Sequence, residues 1–374
     1  MKIFGYIFVL SFAVIFFVGC SSSEQGSSEG VSKLNVYTTV YPIQFAVERI
    51  GGDTVDAETI YPPGVDAHTY EPSSKKMTAI ADSDSFIYLG SNMEGFAESA
   101  ADALSSEDVQ LEEIGQHDEL FTDTGASHSH EMNDHAHSQE HRESNHESNG
   151  GETKHGEGHG GHSHHSHDHG DKDPHIWLDP LRMIDVADII KDHLIELSPK
   201  NENLYKQNFQ ALKEDLVALD EEFKETLEGG DSKEILVSHG AYGYWEERYD
   251  IKQIAISGLS PSEEPSQREL KDTVELAEEH NLNYVIFEQN VSNKVAKIIQ
   301  EEINAETLQI HNLSVLTDGD IENNQDYFSL MAENLQVLDQ ATKKTNASSS
   351  EESSSETQEQ ISESHTHESE HGHS

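Results

Sequence analysis

Short apolar runs and longer amphipathic stretches alternate along most of the chain. Runs such as "KLNVYTTV" and "SFIYLG" have the length and composition of strands. Stretches such as "YPIQFAVERIGG", which opens near Pro42 and ends at Gly51 and Gly52, predict helices. Strand and helix in regular alternation favour parallel sheets with helices on their faces. The pattern therefore predicts an α/β fold.

One long amphipathic stretch divides this alternation into two halves. Its apolar residues recur every three or four positions, on one face of a single helix that Gly229 and Gly230 end. These residues are Leu212, Leu216, Leu219, Phe223 and Leu227. We therefore expect two lobes, each a mainly parallel sheet flanked by helices, joined by one long helix.

Two segments break the pattern. From about residue 117 to 172 the chain holds His, Ser, Gly, Glu, Asp and Asn with almost no aliphatic residue, which predicts a disordered insertion in the first lobe. After Lys344 the chain is rich in Ser and Glu and ends in a second histidine-bearing tail. The predicted organisation is a signal peptide (1–19), a flexible tether (20–32), a first lobe (33–198), a linking helix (199–230), a second lobe (231–343) and a disordered tail (344–374).

The first twenty residues have the pattern of a secretory signal. "MKIFGYIFVLSFAVIFFVGC" places one Lys before a long apolar run and ends at Cys20, the only cysteine, followed by three serines. This resembles a bacterial lipoprotein signal, in which the new N-terminal cysteine carries lipid. An uncleaved membrane anchor is the alternative. Both interpretations place the body of the protein outside the cytoplasmic membrane, lipid-anchored to it in the preferred one.

The charge balance points to cations. The chain has 23 Lys+Arg against 72 Asp+Glu, a net charge of −49, together with 24 His. Such a chain repels nucleic acid and anionic lipid and attracts metal ions, for which histidine is the commonest ligand. Nucleic acid is therefore excluded as a partner, and a single cysteine excludes a cysteine-based zinc site.

Three histidines outside the low-complexity segments lie where a ligand site can form. His68 follows a strand in "PPGVDAHTYEP", His175 lies in the Pro-bounded "DPHIWLDP", and His239 ends an apolar strand in "ILVSHGAYGYW". Ligand sites of open α/β sheets form at the carboxyl ends of strands. We expect these three side chains to converge between the lobes. The remaining three, expected to be ordinary surface or edge residues, are His193, His280 and His311.

At this level the sequence resembles a known family. "GVDAHTYEPS", "DPHIWLDP", "VSHGAYGYWEERY", "GLSPSEEPS" and "QDYFSLMAENL" are similar to motifs of the metal-binding proteins of ABC transporters (cluster A-I), specifically the zinc-uptake branch. The resemblance runs from about Leu34 to Leu338 without the insertion. It implies a rigid linking helix, His68, His175 and His239 as zinc ligands, and delivery to a permease driven by a cytoplasmic ATPase. We expect a monomer without enzymatic activity.

The ligand set favours zinc, because Zn²⁺ accepts imidazole nitrogen in four-coordinate geometry whereas manganese prefers carboxylates. The manganese branch of the family carries an acidic residue where this chain has His239. Many relatives supply a fourth, acidic ligand at a position that falls on Ser314 here. We expect water in that position, with a tract histidine, Asp318 or Asp320 as alternatives. Binding should weaken below about pH 6, because histidine must be deprotonated to ligate a metal.

Several neighbours are candidates for supporting roles. Trp177 and Trp245 are expected to pack around the site and keep it dry. Asp66, Asp173 and Asp179 are candidates to orient the ring nitrogens. Glu288, at another strand end, is expected to be a hydrogen-bonding support rather than a ligand.

Two other functions are open from the residues alone. Three histidines on zinc with an open position is also the arrangement of a zinc hydratase or hydrolase, although no HExxH helix is present. The third possibility is an extracellular metal buffer or adhesin built on the histidine tracts. In the preferred interpretation the tract "GHGGHSHHSHDHG" is an auxiliary, low-affinity site that raises local zinc near the cleft. Its histidines are His159, His162, His164, His165, His167 and His169.

Overall fold

The computed structural model describes residues 33–91, 93–121, 172–262, 265–289 and 294–343. In these ranges the chain forms two four-stranded sheets, all of whose strand pairs are parallel. The predicted α/β fold with two lobes is thus confirmed. Cys20, the six tract histidines and the C-terminal tail lie outside the described residues. No helix within the described ranges has the length and apolar character needed to cross a membrane.

The first lobe is built on a sheet with strand order β2-β1-β3-β4. The sequence pattern did not predict β4, an edge strand whose only apolar residue is Leu111. The strands are β1 (Leu34–Thr38), β2 (Val55–Thr59), β3 (Ser85–Tyr88) and β4 (Gln110–Glu113), and the helices are α1 (Tyr41–Gly51), α2 (Ser74–Ala81), α3 (Ala97–Leu104) and α4 (Pro180–Leu197).

The second lobe repeats this topology with strand order β6-β5-β7-β8. Helix α5 (Glu202–Glu228) precedes it and links it to the first lobe. The strands are β5 (Glu234–Val237), β6 (Lys252–Ala255), β7 (Tyr284–Glu288) and β8 (Glu306–Ile310). The helices are α6 (Gly243–Tyr249), α7 (Gln267–Glu279), α8 (Lys294–Glu302), α9 (Asp318–Glu322) and α10 (Tyr327–Thr342).

Helix α5 buries the face that its periodicity predicts. All five predicted apolar residues of that face are buried, and Gly229 is the residue at which the helix ends. The helix packs against α1 and α4 of the first lobe and against α6 and α10 of the second. Because both lobes pack on one helix face, α5 fixes their relative placement.

One large hydrophobic core runs through both lobes. It includes the first lobe, α5, α10 and residues of β5 and β7. Phe45 of α1 stacks on Tyr327 of α10, with ring centroids 5.5 Å apart, so the last helix closes onto the first lobe. A second, smaller core lies beneath α7 and α8 and consists of Leu236, Ile256, Ala277, Val285, Ala296, Ile299 and Ala305.

The two sides of the predicted insertion lie close together. The described chain runs to Phe121, with Leu120 buried, and resumes at Lys172. The ammonium of Lys172 contacts the Asp118 carboxylate and lies 5.3 Å from the centroid of the Phe121 ring. The ordered part of the first lobe therefore extends a few residues into the range assigned to the insertion.

Candidate metal centre

Three separate segments place the three predicted histidines together. His68 lies in the loop after β2, His239 is two residues beyond the end of β5, and His175 lies in the segment that leads into α4. Strands of a parallel sheet present their carboxyl ends at one edge, which is where loops of an α/β fold form sites. The sequence placed His68 and His239 after strands correctly for this reason.

The three imidazoles form a compact cluster. One ring nitrogen of each lies within 4.8 Å of those of the other two. The ring centroids of His68 and His175 are 5.3 Å apart, those of His175 and His239 are 5.3 Å apart, and those of His68 and His239 are 6.0 Å apart. In the part of the chain that the structure describes, this is the one group of three or more His, Cys, Asp or Glu side chains arranged to hold a metal ion.

The cluster is largely buried, and one nitrogen of each ring has no hydrogen-bond partner among the described residues. His175 is fully buried and His239 is 1% exposed, whereas His68 is partly exposed at the rim. The Nε2 atoms of all three are buried and make no hydrogen bond to any described residue. Buried polar atoms are almost always paired, so unpaired nitrogens on three clustered rings indicate a ligand that binds all three.

The buried Asp173 orients the His175 ring. Its carboxylate accepts hydrogen bonds from the His175 backbone N–H (3.0 Å) and from Nδ1 of the ring (2.7 Å). With Nδ1 donating to Asp173, the lone pair of Nε2 faces the cluster. Metal-ligating histidines usually donate their second ring N–H to a carboxylate in this way, which raises their basicity as ligands.

Glu288, the last residue of β7, does the same for His239. Its Oε1 is in ion-pair contact with His239 Nδ1, off the ideal hydrogen-bond direction. Oε1 also accepts a hydrogen bond from the Tyr242 hydroxyl (3.1 Å), and Oε2 accepts one from the Asn312 amide (2.7 Å). Burial raises the pKa of the Glu288 carboxyl, but His239, His175 and Asn312 outweigh burial and hold the pKa below its usual range. The carboxylate is therefore ionised, as the predicted supporting role requires.

His68 is held by its backbone. Asp66 accepts a hydrogen bond from the His68 backbone N–H (3.0 Å) and another from the Thr69 hydroxyl (3.1 Å). Burial, together with His175 and His239, lowers the pKa of His68 to about 2. This ring keeps its lone pair at all physiological pH values, so protonation of His68 does not account for the weakening below about pH 6 that the sequence predicts.

Comparison with known proteins identifies the family. The family model of ZnuA, "Zinc-uptake complex component A periplasmic", matches residues 36–341. The chain belongs to this family. It is 31% identical over 336 residues to the zinc-binding lipoprotein AdcA of Streptococcus pneumoniae, covering 90% of this chain and 60% of AdcA. The high-affinity zinc uptake system protein ZnuA of Bacillus subtilis is 30% identical, with 89% of this chain and 95% of that protein covered.

Solved structures agree with this membership and with the fold. The Zn(II)-bound ZnuA-like domain of Streptococcus pneumoniae AdcA matches with a TM-score of 0.61 and 29% identity, over 84% of this chain and all of that domain. The present chain spans about 60% of the length of the AdcA relatives that it matches. The predicted resemblance to the zinc-uptake branch is thus confirmed.

The structure gives the other predicted neighbours mixed roles. Trp177 packs against His175, with ring centroids 5.4 Å apart, as predicted. Trp245 lies further from the histidines: it stacks on Tyr242, lies beside Phe223 of α5, and donates its indole N–H to the Leu178 carbonyl (2.8 Å). Asp66 and Asp179 are not ring partners. Asp66 binds backbone and a hydroxyl, and Asp179 caps α4.

Two of the residues considered for the fourth ligand position, Ser314 and Asp320, are engaged elsewhere. The Ser314 hydroxyl donates to the Asn312 side-chain oxygen (2.8 Å). Asp320 accepts a hydrogen bond from the Thr317 backbone N–H (2.7 Å) and contacts His311 Nε2 (3.0 Å), and Asp318 lies in the first turn of α9. Water in the fourth position remains the prediction.

The three remaining histidines lie outside the cluster, but two are not surface residues. His193 is buried, with Nε2 against the Ser85 hydroxyl (2.7 Å), and His311 is buried against Asp320. Both predictions of a surface or edge position were wrong. The His193 ring contacts Ser85, 108 residues earlier in the chain, and the His311 ring contacts Asp320, nine residues later in α9. His280, which is exposed and contacts Glu234, matches its prediction.

Proposed function

We propose that this protein captures Zn²⁺ between its two lobes on the extracytoplasmic side of the membrane and delivers it to an ABC permease. A cytoplasmic ATPase powers the import, a lipid on Cys20 anchors the protein, and it acts as a monomer. Membership of the zinc-uptake family supports this proposal, as does the similarity to the zinc-binding lipoprotein AdcA, to the zinc uptake protein ZnuA and to the Zn(II)-bound AdcA domain.

The observation that carries the proposal is the set of three unpaired Nε2 atoms at His68, His175 and His239. Zinc–imidazole bonds of ~2.0–2.1 Å at tetrahedral angles place ligand nitrogens about 3.3 Å apart. The present separations of up to 4.8 Å therefore need only a small inward movement on binding. Three neutral imidazoles suit Zn²⁺ and are poor ligands for Ca²⁺, Mg²⁺ or Mn²⁺.

The same geometry argues against a hydrolase or hydratase. A zinc hydrolase needs a carboxylate or histidine beside the metal-bound water to act as general base. The two buried acids of the site, Asp173 and Glu288, bind the Nδ1 side of their rings, away from the point where the three Nε2 atoms converge. We propose a binding protein without enzymatic activity, whose fourth coordination position holds water and eases release of the metal.

The auxiliary role that the sequence predicts for the histidine tract is part of this proposal. Lys172 and Asp118, which lie on either side of segment 122–171 in the chain, are in contact, and Lys172 is three residues from His175. We propose that the tract collects zinc weakly near the three-histidine site and raises its local concentration there.

Isothermal titration of Zn²⁺ tests the proposal. The wild-type protein should bind one ion tightly and further ions weakly. His175→Ala and His239→Ala should each weaken the tight site by more than ~100-fold, beyond the ~10–100-fold typical of losing an outer partner. His280→Ala, which removes an exposed histidine outside the cluster, is the control and should leave the site unchanged. Tight binding retained in both ligand variants would refute the proposal.

A further inference from the structure

Three consecutive residues at the start of α6 contact the supports of two ligand histidines. The Tyr242 hydroxyl donates to Glu288 Oε1 (3.1 Å), and Glu288 lies against His239. The Tyr244 hydroxyl donates to the backbone carbonyl of Asp173 (2.6 Å), whose carboxylate holds His175. Both tyrosines are buried. A segment of the second lobe thus binds one acid from each lobe.

Gly243, between the two tyrosines, supplies the space for the Asp173 carboxylate. A Cβ atom at this position would lie 2.7 Å from Asp173 Oδ2, closer than real Cβ contacts allow. Gly243 is outside the left-handed region, so its backbone conformation suits any residue. Glycine is required here by the neighbouring carboxylate and not by the turn.

The triplet is itself firmly held, so it can act as a reference for the site. The Tyr242 ring stacks on Trp245, with centroids 4.8 Å apart, and its backbone N–H donates to the Gln253 side chain (3.1 Å). The Arg182 guanidinium lies over the Tyr244 ring, 4.7 Å from its centroid. Neither tyrosine can move without disturbing these contacts.

We propose that Tyr242, Gly243 and Tyr244 form a positioning element that holds Glu288 and Asp173 against His239 and His175 and thereby sets zinc affinity. The proposal rests on zinc binding by the three-histidine site. None of the three residues contacts the metal. They act through the acids that orient the imidazoles, and removal of such outer partners typically lowers metal affinity 10–100-fold.

Gly243→Ala is the sharpest test, because it removes no hydrogen-bonding group. The new methyl group is accommodated at the lowest energy by displacement of the Asp173 carboxylate, because this carboxylate is the end of a flexible side chain. We expect about 10-fold weaker zinc binding, with the unfolding temperature of the metal-free protein changed by no more than about 2–4 °C. Gly229→Ala, where a Cβ meets open space, is the control. The imidazole nitrogen shifts of His175 in the metal-free protein should change in Gly243→Ala only.

Tyr242→Phe and Tyr244→Phe extend the test to the hydroxyl groups. Tyr205→Phe is the matched control, since its buried hydroxyl binds Thr54 and Asn201 far from the site. All three variants should lose similar thermal stability, whereas zinc affinity should fall about 10-fold only in the first two. If wild-type protein binds zinc tightly and the triplet variants match their controls in affinity and in His175 shifts, the proposal is wrong. Wild-type protein that binds no zinc would instead refute the proposed function.

Discussion

The two lobes have the same strand order, but α7 and α8 of the second lobe are far less buried than α1 of the first. In the first lobe, eight of the eleven residues of α1 are buried. In the second lobe, α7 buries only Ala277 and α8 only Ala296 and Ile299. The first lobe, α5 and α10 therefore form one continuous frame, and the α7–α8 layer is attached to it by a small core.

None of the three ligand histidines lies in the α7–α8 layer. His68 and His175 belong to the frame, whereas His239 follows β5, whose residues contribute to both cores. Regions with few buried apolar contacts open locally at lower free energy than the rest of a structure. The difference means that the α7–α8 layer can open locally while the frame stays folded.

The largest expected effect is the loss of stability when a buried isoleucine of either core is truncated to alanine. Ile50 of α1 and Ile299 of α8 are both helical isoleucines, 0% and 2% exposed. Ile50→Ala should lower the free energy of unfolding by about 4 kcal/mol, and Ile299→Ala by about 2 kcal/mol, within the usual range for such truncations. The reason is that the small core can collapse around the cavity. Denaturant titration measures both values.

Native-state hydrogen exchange sharpens the same comparison. Ile299→Ala should speed exchange in α7 and α8 only, because that layer opens on its own. Ile50→Ala should speed exchange throughout the frame. Equal losses of stability, with the same exchange pattern in both variants, would mean that the two lobes form one cooperative unit.

The next effect concerns the two orienting acids, one from each lobe. Asp173→Asn and Glu288→Gln keep the shape of the side chain but remove its charge, so each should weaken zinc binding by ~10–100-fold. Asp215→Asn, which affects only the exposed ion pair with Arg49, is the control. Competition with a chromophoric chelator measures the affinities. A loss in only one of the two variants would place the control of affinity in that lobe alone.

The smallest effect is the pH dependence of stability that His68 confers. Its folded pKa of about 2 lies below the unfolded value of ~6.5, so below that pH the unfolded chain binds a proton that the folded protein rejects. His68 should therefore remove stability as pH falls from 6.5, by about 1.4 kcal/mol per pH unit. Glu94, whose pKa burial raises to about 7, acts in the opposite direction.

The difference between wild-type protein and His68→Asn isolates this contribution, because Glu94 is present in both. The metal-free variant should lose less stability than wild type between pH 6.5 and 5 in denaturant titrations. Parallel curves for the two proteins would show that His68 takes up a proton equally in the folded and unfolded states.

Periodicity and strand ends predicted the features that local sequence determines. The buried face of α5 follows from residue spacing, and His239 is located by the apolar strand before it. Features set by long-range packing were missed. The strand β4 has only one apolar residue and is held in the sheet by its pairing with β3. His193 is buried against Ser85, which lies 108 residues earlier in the chain.

The supporting residues show the same division. Asp173 was one of three candidate ring partners. The sequence alone could not select it, because it does not show which way the His175 ring points, and in the structure this ring points back to Asp173. The contribution of Tyr242, Gly243 and Tyr244 was not predicted. The single available signal was their position directly after a candidate ligand in "SHGAYGYW".

The most direct test of the account is zinc titration of the protein with residues 122–171 replaced by a short Gly-Ser linker, which the contact between Lys172 and Asp118 makes feasible. The account predicts that the weak sites disappear and that one tight site remains. It also predicts that His239→Ala abolishes this site in the same background. Loss of the tight site on deletion alone, in a protein that still folds, would contradict the account and place high-affinity binding in the histidine tract.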